Sequence, residues 1–138
     1  MIDLTVIEAL ITDAKVAVLV DGVTSVKPAI EKGINAQSAA FVLPLLTPSR
    51  KIAGGSIVEY ERPEKFAVVV ALRTGGKGSS NKAFSDLVNG VENALTGVTL
   101  PGMEYAIELG NGGLIPTKLT DQVFWQIEFS LKTFKRAN

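Results

Sequence analysis

Phe66-Ala67-Val68-Val69-Val70-Ala71-Leu72 is the stretch that decides the class of fold. Large side chains at Phe66, Val68, Val70 and Leu72 alternate with the smaller Ala67, Val69 and Ala71, and that period belongs to a strand. One face carries bulky groups for a core. The other is flat enough for a further element to pack on it.

Upstream, residues 40–45 read as a second strand, too uniformly apolar for alternation and so buried on both faces. Residues 56–61 alternate as a third strand, with Ile57 and Glu59 opposed to Val58 and Tyr60, until Pro63 interrupts. Between them, residues 47–55 hold Pro48, Arg50, Lys51, Gly54 and Gly55 and read as a mobile loop. Val6, Ile7, Leu10, Ile11 and Ala14 recur at helical spacing over residues 4–14, with Asp3 placed to cap the first turn. Asp21-Gly22 predicts a turn, residues 23–26 a short strand halted before Pro28, and residues 30–39 a loop with one helical turn.

Downstream, a glycine-rich loop at 74–80 precedes a helix from about 81 to 96. Phe84, Leu87, Val88, Val91 and Leu95 form its stripe, and Gly97 ends it. Residues 103–109 predict a strand and Gly110-Asn111-Gly112-Gly113 a turn. A closing strand over 121–134 directs Val123, Trp125, Ile127, Phe129 and Leu131 inward and Gln126, Glu128, Ser130 and Lys132 outward. The order α-β-β-β-β-α-β-β lacks regular βα alternation. The expected fold is α+β: one domain over 1–138, with a single mainly antiparallel or mixed β-sheet and two principal helices packed on one face.

Composition narrows the function. A chain of 138 residues is long enough for its own core. It has no cysteine and no histidine, which removes disulfides, thiolate metal sites, thiol catalysis and the commonest general base. Fourteen Lys and Arg balance 14 Asp and Glu, so no overall field draws in nucleic acid or a membrane. Met1-Ile2-Asp3 puts an acid where a signal peptide has bases, and Val16-Ala17-Val18-Leu19-Val20 is far too short to span a bilayer. The expectation is a soluble protein made in the cytoplasm.

Arg73-Thr74-Gly75-Gly76-Lys77-Gly78-Ser79-Ser80 offers glycines, a lysine and hydroxyls before a helix, as a phosphate cradle would. It fails the P-loop pattern, because the lysine stands on the wrong side of Gly78, and it fails the dinucleotide pattern at Asn81. A surface loop with Ser79 or Ser80 capping the helix is the simpler reading. Glu59 with Glu61, and Glu104 with Glu108, share strand faces, yet a hard cation needs more converging oxygens. No hydroxyl nucleophile has a marked base. Aromatic and basic residues do not interleave as a platform for single strands. No catalytic residue, cofactor or metal is expected, and the chain is not expected to be an enzyme.

The order of segments carries a further signal. Ala39-Ala40-Phe41-Val42-Leu43-Pro44 leads to a polar loop ending at Gly54-Gly55. Next come the strand at 66–72, a helix ending near Leu95, the turn at 110–113, and Gln122-Val123-Phe124-Trp125-Gln126-Ile127-Glu128-Phe129. From about Val23 onward this order resembles the small tail terminator proteins of tailed bacteriophages. The resemblance implies a ring of six copies that caps the head-proximal end of the tail tube, stops its growth and receives the head. The implied partners are other copies of the chain, the tail tube protein and a head-completion or neck protein, with the tail sheath a further candidate. DNA would pass through the lumen without specific binding, and the site would be the virion tail, assembled in the bacterial cytoplasm. Zero net charge suits such a conduit, since a basic lining would grip DNA. Arg50, Lys51, Gly75, Gly76, Lys77 and Gly78 are the expected contacts with a neighbouring subunit or the tube. The alternatives are another neck or head–tail connector component, or a small anion-binding domain that uses the loop at 75–80.

Overall fold

The computed structural model describes residues 3–45, 50–52, 58–74, 81–103 and 105–137, with side chains placed for those outside 50–63 and 133–137. The alternating run becomes the inner half of β4 (Val58–Arg73), which pairs antiparallel along its whole length with β6 (Gln122–Ala137). At the usual rise per residue each of these 16-residue strands is about 50 Å long. On the opposite edge of β4, β2 (Ser38–Pro44) pairs with its inner half and β3 (Arg50–Ile52) with its outer end. A parallel strand, β1 (Leu19–Asp21), lies outside β2, and an antiparallel one, β5 (Glu108–Ile115), lies outside β6. The mixed sheet therefore runs β1-β2-β4-β6-β5, with β3 sharing the β4 edge.

Two helices cover one face. Ile7 and Ile11 of α1 (Leu4–Ala14) and Leu87, Val91 and Leu95 of α3 (Asn81–Leu95) bury against Val42, Phe66, Val68, Val70, Ile127 and Phe129. Phe66 and Phe129 stack at the centre of this core, with ring centroids 5.3 Å apart. The expected α+β class, with its two principal helices on one face, is the observed one. Asp3 caps α1 by accepting the Thr5 amide proton at 3.0 Å, and Lys15 at φ 56 closes it through a bond to the Thr12 carbonyl. Gly97, at φ 82, turns the chain beyond α3.

Several expectations are corrected. Residues 23–26 form no strand: a 3-10 turn at Val23–Ser25 runs into a third helix, α2 (Val26–Lys32), packed on the other face of the sheet. Pro28 does not stop the chain there, because it falls in the first helical turn, where amides have no acceptor within the helix. Ala29 and Ile34 settle on the flat surface of Ala39, Phe41, Val69, Ala71 and Phe124, making a second core. The presumed loop at 47–55 contains β3.

Pro63 does not divide β4 either. Leu45 donates its N–H to the Lys65 carbonyl, so the odd-numbered backbone groups here point toward the β2 edge. The nitrogen of Pro63 falls on that edge, between the stretch paired to β2 and the stretch paired to β3, so the ladder loses no donor. Finally, the strand expected at 103–109 starts only at Glu108, and Gly110 to Gly113 belong to it, as part of β5, rather than to a turn, with a register irregularity between Leu109 and Gly112. A Cβ at Gly110 would lie 3.1 Å from the Glu128 carbonyl oxygen, and one at Gly112 would lie 2.8 Å from the Trp125 indole nitrogen. These glycines bring the strand close to β6. They do not reverse it.

Candidate functional site

Arg50 and Lys51 lie on β3, across from Glu61 and Tyr60, at the outer end of the long β4–β6 ribbon. Gly75, Gly76, Lys77 and Gly78 lie outside the described residues, as do Ser79 and Ser80. The chain entering that loop is anchored: Arg73 donates its N–H to the Gln37 carbonyl and Thr74 to the Asp121 carbonyl. Just beyond it, the exposed Lys82 pairs with Asp86 at 2.7 Å, and this carboxylate holds the ammonium above its ordinary pKa.

Glu59 and Glu61 sit two apart on β4, in register with Arg136 and Phe134 of β6. Glu108 is exposed on β5, and Glu104 lies outside the described residues. Among the described residues no group of three or more Asp or Glu side chains converges as a metal site. No helix described is long and apolar enough to cross a membrane. Trp125 is in the expected register, half-buried against the helices, with Phe84 edge-on at 5.8 Å and Gly112 beside the indole. A concavity of about 620 Å³ borders Val16, Gln37, Ser38, Leu72 and Asp86. Two of its polar groups serve the fold, since Gln37 donates to the Arg73 carbonyl and Ser38 accepts the Val18 amide proton.

The sheet edges have a different character. Six large apolar side chains are exposed among the described residues, and all six lie at the two lateral edges. Val18, Leu19 and Val23 are on or beside β1, while Tyr105, Leu109 and Leu114 are on or beside β5. Val18 and Leu114 are the most open, at 73% and 67%. Each of the two strands pairs on one side only among the described residues, so its far side offers backbone N–H and C=O groups. Along β5 a groove of about 270 Å³ is bordered by Gly113, Ile115, Pro116, Gln126 and Glu128. Such edges can add strands from another chain. Sequence reading missed β1 because residues 16–20 are uniformly apolar and suggest burial. The Asp21-Gly22 pair that ends the strand was the available signal.

These features define an α+β domain with a mixed sheet, helices on both faces and two apolar lateral edges. The same fold occurs in a chain of the solved "Virion of native gene transfer agent (GTA) particle", with a TM-score of 0.54 and 15% sequence identity. The superposition covers 94% of this chain and 85% of that one. No family model matches the sequence, and no curated protein matches it. At this identity the likeness is one of fold.

Proposed function

We propose that this chain is a structural component of a phage-like virion, and within it the tail terminator. The carrying observation is the fold shared over 94% of its length with a chain of a gene transfer agent virion. The order of sequence segments, read independently, supports the same reading. In this role the protein performs no chemistry and holds no cofactor. It forms a ring, six copies in number, on the head-proximal end of the tail tube. The ring blocks further addition of tube subunits and presents its free face to the head-completion protein, with the sheath a further neighbour in a contractile tail. DNA crosses the lumen without specific binding. Buried area and edge pairing supply the affinity.

Arg50 and Lys51 are assigned to contacts with the tube or a neighbouring subunit. Replacing both with alanine is expected to impair capping, and unchanged ring assembly with unchanged tail length would refute the assignment. The function as a whole is tested by light scattering with negative-stain imaging, alone and after adding tail tubes. A closed ring, or a cap confined to one tube end, supports the terminator role. A monomer that ignores tubes refutes it, and spontaneous growth into tubes would make the chain a tube protein instead.

A further inference from the structure

We infer that β1 of one copy adds as an antiparallel strand to β5 of the next, with Val18 opposite Leu114 and Leu19 seated over Gly113. This surface rests on the ring reading above and names how the ring closes.

Strand direction fixes the sense of pairing. β1 runs parallel to β2, and each step from β2 through β4 and β6 to β5 reverses direction. β5 therefore runs opposite to β1. A neighbour brought alongside by a rotation that continues the sheet keeps its strand directions, so its β1 meets β5 antiparallel.

Side-chain faces fix the register. Val20 belongs to the core under α1 and α3, while Leu19, across from Ala39, faces the α2 side. On β5, Leu114 lies across from Trp125 on the α1 and α3 side, and Gly113 lies across from Gln126 on the α2 side. We place Val18, the bend residue before β1, on the face of Val20 by carrying the alternation back one step. Placing Val18 opposite Leu114 joins the two most exposed apolar side chains. It also sets Leu19 over Gly113 and Val20 over Gly112. A Cβ at Gly113 would meet nothing within 4 Å, and the adjoining groove is open to receive the Leu19 side chain. The irregularity between Leu109 and Gly112 ends the regular edge, leaving rungs for Leu19 and Val20 of β1 and for Val18 just before it.

The occupant is a second copy because one chain carries both halves of the contact at opposite ends of one sheet. A symmetric pairing of β5 with β5, or of β1 with β1, would leave the other apolar edge bare. Joining unlike edges is heterologous, and a closing rotation turns that contact into a ring.

The absence of native cysteine permits a direct test. Val18→Cys and Leu114→Cys in one chain, under mild oxidation, are expected to give a covalent ladder ending at a closed oligomer, reversed by reductant. Each single variant should stay at monomer mass, and Leu19→Cys with Leu114→Cys, on opposite faces, should form no ladder. Gly113→Val should fold normally yet weaken self-association about tenfold or more, because it fills the seat of Leu19. Dimers from a single variant would overturn the proposal in favour of a symmetric contact. A ring by light scattering with neither a ladder nor an effect of Gly113→Val would overturn this surface while the ring stands. A monomer at every protein concentration, with and without tail tubes, and with no ladder, would overturn both.

Discussion

Gln122 uses both ends of its amide on one residue. Its Oε1 accepts the Ile34 N–H at 2.9 Å, and its Nε2 donates to the Ile34 carbonyl at 3.2 Å, with the side chain 9% exposed. Leucine here would leave a buried donor and acceptor unmet, so Gln122→Leu is expected to cost about 2–3 kcal/mol in urea unfolding. Gly33 makes the approach possible: at φ 92, its Cβ would lie 2.7 Å from the Gln122 amide nitrogen. A second close approach joins α3 to the segment before β1, where a Cβ on Gly90 would sit 2.7 Å from Val16 Cγ1 and 3.0 Å from its Cβ. Alanine in a helix gains about 1 kcal/mol over glycine. Displacing a stiff, branched neighbour costs about 1–3 kcal/mol, so the clash wins. Gly90→Ala should lower the melting temperature, and Val16→Ala in that background should recover part of the loss. Neither glycine announces its role in the sequence. The partners, Gln122 and Val16, lie far away along the chain.

At the scale of elements, α1 shows how a cap links to pH. The hydroxyl of Thr5, then its amide, holds the Asp3 carboxyl below the ordinary aspartate value. The folded protein thus gives up that proton more readily than the unfolded chain. The stabilisation is full above about pH 4 and is lost as the pH falls through the lowered value. Asp21 follows the same rule through Ser25 and Gly22. Asn is also a good N-cap, so Asp3→Asn keeps the hydrogen bond and removes the charge beside the helix dipole. Melting curves of the two proteins should differ near neutral pH and converge as the pH falls; a gap of the same size at every pH would refute this. α1, α3 and the inner parts of β4 and β6 were legible because each repeats one period over enough residues, and β2 because it is an unbroken apolar run. α2 and β5 were not. Pro28 and four residues containing three glycines carry opposite meanings in a helix or strand and in a turn, and neighbouring elements decide between them.

For the whole molecule, β2, β4 and β6 are shared by two cores, one under α1 and α3 and one under α2. Truncation on either face should therefore be felt in a single unfolding transition. Phe124→Ala on the α2 side and Phe129→Ala on the other should each cost about 3–5 kcal/mol. Far-ultraviolet dichroism and the fluorescence of Trp125, the sole tryptophan, should change together. Two separated transitions would mean that the α2 layer unfolds by itself. At this scale the candidate site also takes shape. Arg50 and Lys51 stand at the outer end of the β4–β6 ribbon, while the apolar edges lie laterally on β1 and β5.

The sequence by itself determined the α+β class, the helical stripes of α1 and α3, and the pleated core of β4 and β6. Those signals are local: a side chain's period along its own segment reports which face is buried. Only the tertiary structure decided that α2 closes the second face, that Pro63 is harmless within β4, and that β5 continues through its glycines. It alone decided that Val18 and Leu114 are left in water. Burial at an edge depends on whether another strand lies alongside, and strand order is a long-range property that no local period encodes.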